Sequence, residues 1–500
     1  MSSLETAIAS ISAGPDGPRI AAFFDFDGTL IDGYSVGEYY KHRLVHGEIG
    51  AREAAQLLFL GLRGLEDEAD FRRFVTLGFS AWKGKTEAEM DALSERLFKD
   101  HIARCLYSEA WQLMEAHRRA GHTLVIASSA TRFQIQPMAR ELGVEHVLCT
   151  AVEVRKGVLT GRPSGTLAWG EGKASVVQKF ARRNQIDLGR SYAYADGDED
   201  ISFLQGVGQP RAVNPHPRLA KAAAEQGFPV LRFASRGGRP DALTIARSVA
   251  AYAGMAGAFG AGLWAGMLNH SHREAVNLTL TLASEVGLAL AGIEVRTQGE
   301  EHLWSHRPAV FLFNHQSQLD LLILAKLLRE DFTGVAKKST MKVPGFGPFF
   351  RFAGVAFVEP GNKSQNLQAL APALQKLKSG ISLVMAPEGT RSATPRLGPF
   401  RKGAFHLALQ ARVPIVPVVV RNSGDLMRRG ETALRAGAVD VAVLPPVSTS
   451  RWKAADLDRH VDTVRQLFLD TLASWPKPAV SKSARKRAPA RRRGRVGGVA

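Results

Sequence analysis

Two α/β domains in tandem, with a helical hairpin leading into the second, are the fold class that this sequence predicts. Three observations carry the prediction. At 500 residues the chain is longer than one hydrophobic core usually organises. Short apolar runs repeatedly end in polar clusters followed by helical periodicity, the strand–loop–helix order of α/β proteins. A composition break divides these runs into two groups: Ser235 to Pro240 reads as a linker, and Ser248 to Asn269 then runs 22 residues without a charge.

Composition narrows the class further. The two cysteines, Cys105 and Cys149, are too few for a disulfide framework, which suits a reducing cytosol. Met1 to Ser12 lacks a basic n-region and a long apolar core, so no secretory signal is expected. The formal net charge is +18, but nine Lys or Arg and no acid fall between Lys477 and Arg495, half of the excess. With Pro, Ala, Ser and Gly between the charges, residues 476–500 are predicted to be a disordered basic tail, suited to anionic lipid, to nucleic acid or simply to water. A basic scaffold that binds nucleic acid or membrane rests on this tail alone, so nucleic acid is not expected as a partner.

The first stretch that carries chemistry is Ile20 to Leu30. A β-type apolar run ends in two carboxylates at alternate positions, Asp25 and Asp27, followed by Gly28-Thr29. Alternate residues of a strand share a face, so both carboxylates can converge at its carboxyl end, where ligands bind in open α/β sheets. Such a pair can hold Mg²⁺, and one member can attack phosphorus as a nucleophile. Asp-Gly is also an ordinary turn pair. Three later stretches join it. The run His122 to Ala127 ends at Ser128-Ser129, hydroxyls able to bind phosphate oxygens. Gly170 to Ala174 puts Lys173 at a predicted helix N-terminus, a place that favours anions. Ser191 to Ala195 runs into an acidic loop containing Asp196 and Asp200, suited to a hard cation. A cap, a surface lysine and an acidic loop would explain each one singly; the ordered set is hard to obtain by chance.

On these motifs, residues 19–235 resemble the haloacid-dehalogenase-type phosphatases, in the subgroup that includes phosphoserine phosphatase; Asn214-Pro215 is also family-like. The resemblance implies a Rossmann-like domain after an N-terminal tail, 1–18, with a helical cap over about 34–107. It implies Asp25 as nucleophile, Asp27 as general acid and then base, and Ser128 and Lys173 neutralising phosphoryl oxygens. Mg²⁺ would be held by Asp25, Asp196 and the Asp27 carbonyl, with Asp200 supporting. The substrate would be a small phosphate ester. Glu38, Arg72 and Arg73 of the cap are candidates to touch it, or ordinary solvated charges.

After the linker, Ser248 to Asn269 and Val276 to Ile293 read as two apolar helices joined by the polar turn His270 to Glu274. Five glycines weaken the first as a membrane span, so a hairpin that dips into or lies on a membrane is expected; two buried helices covering a sheet would give the same pattern.

The second chemical centre follows. The run Phe311 to Phe313 leads through Asn314-His315, and five residues after His315 comes Asp320, which opens the apolar run Leu321 to Ala325. A strand end meeting a helix start can hold a histidine rigidly beside a carboxylate, the arrangement used for general-base chemistry near neutral pH. Ser317 capping the helix with Asp320 answering is the other reading. Further strands are expected at Gly354 to Val358 and Ile381 to Ala386. A third, Val413 to Val418, is interrupted by prolines, which argues against a central place in a sheet. Between them, Pro387 to Ser392 offers Glu388, Gly389, Thr390 and Arg391, a loop able to grip phosphate, with Lys402, Lys337, Lys338 and Lys342 as further cations.

Residues 296–475 thereby resemble the glycerolipid acyltransferases, most closely those acting on 1-acyl-glycerol-3-phosphate, and the hairpin within 236–295 resembles that family's membrane-docking helices. Asn314, His315 and Asp320 match the first motif, Pro387 to Ser392 the third and Val413 to Val418 the fourth. Gly354, Phe357 and Val358 match the second in part, but Pro360 stands where an acceptor-binding arginine is usual; Arg351 or Lys363 could substitute. The resemblance implies a membrane-associated α/β domain in which His315 is the base, Asp320 orients it, and Glu388 to Arg391 bind the acceptor phosphate or the donor. Acyl-CoA or acyl carrier protein would be the acyl donor, lysophosphatidate the acceptor and a phospholipid membrane the partner. The cytoplasmic side of the cell membrane, in peripheral or monotopic attachment, is the expected location. Another lipid acceptor, with a phosphoserine-type or lipid-phosphate phosphatase, is the alternative that Pro360 keeps open.

Overall fold

Ala21-Ala22-Phe23-Phe24 is apolar at every position because the strand it forms is buried on both faces. This computed structural model describes residues 3–50, 53, 67–234, 240–337, 346–358 and 370–476. The predicted linker at 235–239, the basic tail from 477, Lys338, Lys342, Pro360, Lys363 and part of the cap (51–52 and 54–66) lie outside the described residues.

The first sheet has seven strands, β1 (Ala21–Phe24), β2 (Thr123–Thr131), β3 (His146–Arg155), β4 (Val158–Ser164), β5 (Tyr192–Ala195), β6 (Gln209–Val213) and β7 (Val230–Leu231), in the order β4-β3-β2-β1-β5-β6-β7. All pairs are parallel except β3 with β4. Strands β2 to β4 are laid down outward on one side of β1 and the chain then crosses to its other side for β5 to β7, so the carboxyl end of β1 opens into the crevice of a doubly wound sheet. Helices Ser35–Val45, Glu68–Ser80 and Glu87–Leu97 stand between β1 and β2. They occupy the place of the predicted helical cap. The predicted N-terminal tail is instead partly helical: Ser3–Ala13 folds as a helix and buries Ala7 and Ile11 in the core of this domain. The strands β3 and β4, which the sequence reading did not single out, form a hairpin, and most of β3 is half-buried on both faces.

The second sheet also has seven strands, β8 (Ile293–Gln298), β9 (Val310–Phe313), β10 (Phe332–Lys337), β11 (Ala356–Val358), β12 (Ser382–Met385), β13 (Ile415–Arg421) and β14 (Gly437–Val443), in the order β11-β10-β12-β9-β13-β14-β8. Pairing is parallel except between β13 and β14. The proline-interrupted strand therefore lies inside the sheet, next to β9, against expectation. Pro414 precedes it, and Pro417 comes just before Val418, the first residue paired with β14, so neither missing N–H breaks that ladder.

Helices Ala242–Asn269 and His272–Ala291 form the expected hairpin. The first exposes Leu243, Ile245, Val249, Leu263, Trp264, Met267 and Leu268, so two buried helices are not what the pattern encodes. It is also the one helix among the described residues long and apolar enough to cross a membrane. Gly254, Gly262 and Gly266 have a packing reason. A Cβ on Gly262 would lie 1.8 Å from Thr279 Oγ1 of the second helix, so the two backbones approach only because that side chain is missing. We expect Gly262→Val to cost about 1–3 kcal/mol by overpacking. Gly257 faces open space, so Gly257→Ala should be neutral or stabilise by up to about 1 kcal/mol through the helix backbone. Thermal melts of both variants in detergent check the pair.

Candidate active sites

In the first domain the end of β1 delivers Asp25 and Asp27 to the crevice. Asp25 is buried; its N–H donates to the Tyr194 carbonyl of β5 at 2.9 Å and its Oδ1 accepts the Phe26 N–H at 2.7 Å. Lys173 projects from the first turn of helix Glu171–Arg183 and is itself buried, with Nζ 3.3 Å from Asp25 Oδ1 and 2.6 Å from Asp200 Oδ1. Burial alone would push its pKa down, but Asp200 and Asp25 reverse that and hold it above its ordinary value. Asp196, past β5, accepts the Thr29 hydroxyl at 2.8 Å. Gly28, at φ +73°, makes this approach possible: a Cβ there would sit 2.0 Å from Asp196 Oδ2. Ser128 is fully buried two residues beyond Ile126, which pairs with Phe24 of β1. All six residues expected from the sequence are thus gathered at one end of the sheet.

The electrostatics of this crevice are unbalanced towards negative charge. Burial first, and then the charge of Asp25, push Asp196 up to about 8. Burial likewise raises Asp27 to about 7, against two opposing hydrogen bonds from Ser35, whose N–H lies 2.6 Å and hydroxyl 3.2 Å away. Asp200 is fully buried, yet its Oδ2 has no hydrogen-bond partner among the described residues. Among those residues, no three His, Cys, Asp or Glu side chains converge closely enough to hold a cation by themselves. The implied set needs two, Asp25 and Asp196, with a backbone carbonyl completing it, and the demand for positive charge at Asp196, pushed up by burial and by Asp25, fits such a cation.

The cap candidates are elsewhere occupied. Glu38 pairs with Lys41, Arg72 with Glu68 and Arg73 with Asp70, all on the surface of their own helices. Ser35 and Thr29 are the contributors that sequence reasoning missed. Thr29 sat within the quoted motif but without a role, and nothing in the spacing marks Ser35.

In the second domain β9 ends at Phe313. Asn314 ties that end to β13, donating from Nδ2 to the Val420 carbonyl at 2.7 Å and accepting the Val420 N–H at 2.8 Å. His315 follows with Nδ1 2.9 Å from Asp320 Oδ2. The same oxygen accepts the Gln316 and Ser317 N–H groups at 2.8 and 2.9 Å, so three donors converge on one oxygen of a wholly buried carboxylate, whose Oδ1 has no partner among the described residues. This assigns the proton to Nδ1 and leaves Nε2 to act as a base. Ser317 is not the helix cap that was expected: the N-cap is Gln318, without a side-chain cap, and the Ser317 hydroxyl instead accepts the Leu319 N–H at 3.2 Å and donates to the Met427 carbonyl at 2.6 Å.

Glu388 was expected to bind substrate, and the structure places it differently. It is buried, with Oε1 accepting the His315 N–H at 3.0 Å and Oε2 the Gly398 N–H at 2.8 Å. Both oxygens are taken, and an anion there would repel a phosphate; it braces the histidine loop. Burial raises its pKa, with those two N–H groups opposing. Gly389 follows at φ +73°, packed under Arg401, and Thr390 is exposed. Arg391 stays in reach of a substrate. Arg429, which no motif in the sequence marks, lies beside it, with Nη1 3.4 Å from the Arg391 carbonyl. Burial and Arg429 both lower the Arg391 pKa, and neither arginine has a carboxylate at ion-pair distance among the described residues. Two unpaired cations next to a His–Asp couple suit a phosphate monoester. Lys402 is spent on Asp458 at 2.6 Å, and Arg351 is exposed on its helix.

A capped, doubly wound sheet with paired aspartates defines a phosphoryl-transfer fold, and the His–Asp strand end defines an acyl-transfer one. The chain belongs to both corresponding families. Residues 22–205 match the haloacid dehalogenase-like hydrolase family and residues 294–421 the family described as acyltransferase. A phosphoserine phosphatase of Mycobacterium tuberculosis is 34% identical over 250 residues, 47% of this chain and 80% of that protein. A 1-acyl-sn-glycerol-3-phosphate acyltransferase of Limnanthes alba is 32% identical over 198 residues, 39% of this chain and 70% of that protein. The enzyme of the same name from Saccharomyces cerevisiae is 36% identical over 186 residues; the chain spans 61% of its length.

The raised Asp27 gives a signed expectation for pH. A general acid must hold its proton, so hydrolysis of a small phosphate ester should decline on the alkaline side with an apparent pKa of about 7. Asp27→Asn should remove that limb and cost about 10²- to 10⁴-fold in kcat. A pH profile of kcat/KM for both proteins reads the outcome.

Proposed function

We propose that this chain is a bifunctional enzyme of phospholipid biosynthesis. Its second domain transfers an acyl group from acyl-CoA or acyl carrier protein to 1-acyl-glycerol-3-phosphate, giving phosphatidate. Its first domain hydrolyses a phosphate monoester. The observation that carries the acyl-transfer reading is the 2.9 Å contact of His315 Nδ1 with the threefold-bonded Asp320, beside Arg391 and Arg429.

In this mechanism Arg391 and Arg429 bind the acceptor phosphate. His315 Nε2 takes the proton of the acceptor hydroxyl as its oxygen attacks the thioester carbonyl. Asp320 keeps the imidazole in one tautomer and stabilises its charged form, and the thiol leaves with a proton returned from His315. No acyl-enzyme is required. In the first domain an Asp25 oxygen attacks phosphorus, the bond to the leaving oxygen breaks, and Asp27 supplies that oxygen's proton. Asp27 then deprotonates the water that releases phosphate from Asp25. Lys173 and Ser128 hold phosphoryl oxygens. Mg²⁺, held by Asp25, Asp196 and the Asp27 carbonyl with Asp200 supporting, would add charge neutralisation there.

The exposed apolar face of Ala242–Asn269 supports attachment to a phospholipid membrane, peripheral or monotopic, which we propose to be on its cytoplasmic side. A basic tail at 476–500 fits an anionic leaflet. We divide the chain accordingly into an N-terminal segment (1–18), phosphatase (19–235), linker and hairpin (236–295), acyltransferase (296–475) and tail.

Acyl transfer to 1-acyl-glycerol-3-phosphate in mixed micelles tests the reading. Wild type should be active, His315→Ala should lose at least about 10²-fold, the scale of a missing general base, and Arg429→Ala should mainly raise the acceptor KM. Equal rates for wild type and His315→Ala would sink the mechanism.

A further inference from the structure

We propose that Thr394 and Arg396 are positioning residues for acyl transfer. They seat the loop that braces His315 on the C-terminal end of helix Arg132–Leu142 in the other domain. The inference rests on the acyl-transfer reading above.

The last carbonyls of a helix have no partner within it and carry its negative dipole end. Here two of them are capped from outside the domain: Arg396 Nη1 donates to the Glu141 carbonyl at 2.7 Å and the Arg140 carbonyl at 3.3 Å. Gly143 ends the helix at φ +66°, and a Cβ there would lie 2.9 Å from Arg396 Nη2, so the guanidinium sits flat against the turn. Thr394 is buried; its hydroxyl donates to Glu141 Oε1 at 3.2 Å and accepts the Arg396 N–H at 3.3 Å. Ala393 packs against the core of the first domain.

The same loop surrounds the histidine. Ser392 donates to the His315 carbonyl from its N–H at 2.8 Å and its hydroxyl at 3.2 Å. Glu388 clasps the His315 and Gly398 N–H groups, and Arg465 holds the Gly398 and Leu397 carbonyls at 3.0 and 3.1 Å. Both feet of the loop are therefore fixed within its own domain, while its tip, 393–396, is fixed by the other. Arg391, which would bind substrate, stands between a foot and the tip.

The supporting helix is itself rigidly held at its far end. Gln134 forms a capping box with Thr131, and its Nε2 donates to Ser35 Oγ at 3.1 Å, the hydroxyl that contacts Asp27. This helix of 11 residues, about 16 Å long, is therefore a fixed support for the loop bracing His315.

The test uses the full chain in mixed micelles. Acyl-transfer constants are measured for wild type, Arg396→Ala and Arg396→Lys, with amide exchange over 388–398 and thermal melts alongside. We expect Arg396→Ala to raise the acceptor KM about 5- to 20-fold, within the range for coupling mutations away from a ligand. Loop amides should exchange faster, the lysine variant should restore most of the affinity, and small-ester hydrolysis should stay within about 2-fold, as expected for an uncoupled site. Wild-type kinetics in Arg396→Ala, with unchanged loop exchange, would overturn the proposal and leave the acyl-transfer reading standing. An inert wild type would instead overturn that reading. If Arg396→Ala does not fold, Thr394→Val, which removes the hydroxyl at constant volume, replaces it with the same expected direction.

Discussion

A carboxylate taken out of water has to be met by donors, by a cation or by a proton, and both halves of this protein are built around that requirement. The two domains meet it in opposite ways. Asp320 receives two backbone N–H groups and an imidazole on one oxygen, while its other oxygen has no partner among the described residues, and that cluster of donors holds the carboxylate in place beside His315. The aspartates of the first domain are under-matched. Lys173 serves both Asp25 and Asp200, while Asp196 and Asp27 are driven towards the protonated state. One arrangement holds a base in a single tautomer; the other leaves demand for positive charge where a phosphoryl group and its counter-ion would sit.

The sheets make these arrangements possible because a strand end is a rigid and repeatable place. β1 and β9 each lie between parallel neighbours and are buried on both faces, so the residue after the strand is held by hydrogen bonds on either side. Asp25 is tied to β5 and Asn314 to β13 in the same manner. The chemistry at each site is borne by side chains one to seven positions further on, short enough a reach for that rigidity to be inherited.

Much of this was legible in the residues. Apolar runs ending in Asp25 and Asp27, in Asp196 and in His315 marked strand ends, because a doubly buried parallel strand has no polar face to blur its boundary; the run ending at Ser128 did not, since β2 continues to Thr131. The Asn314–His315–Asp320 spacing and the Pro387 to Ser392 loop carried the second site. The misreadings share a cause. Glu388 looked like a ligand-binding acid because sequence spacing does not say which way a carboxylate faces. The strand around Pro417 looked peripheral because its prolines could not be assigned to the unpaired start of a ladder. Lys402 looked available because its partner, Asp458, is remote in the chain.

By itself the sequence determined the two fold families, the paired side chains of the two candidate sites and the apolar hairpin, since each is encoded by residue types within a few positions of one another. Tertiary structure alone decided what those residues face. It brought Arg429 to Arg391, Ser35 to Asp27, and the tip of the histidine-bracing loop to the end of a helix some 250 residues earlier. Contacts of that kind depend on how strands are ordered and how domains dock, and a carbonyl at a helix end accepts any donor that arrives. Neither leaves a local pattern in the chain.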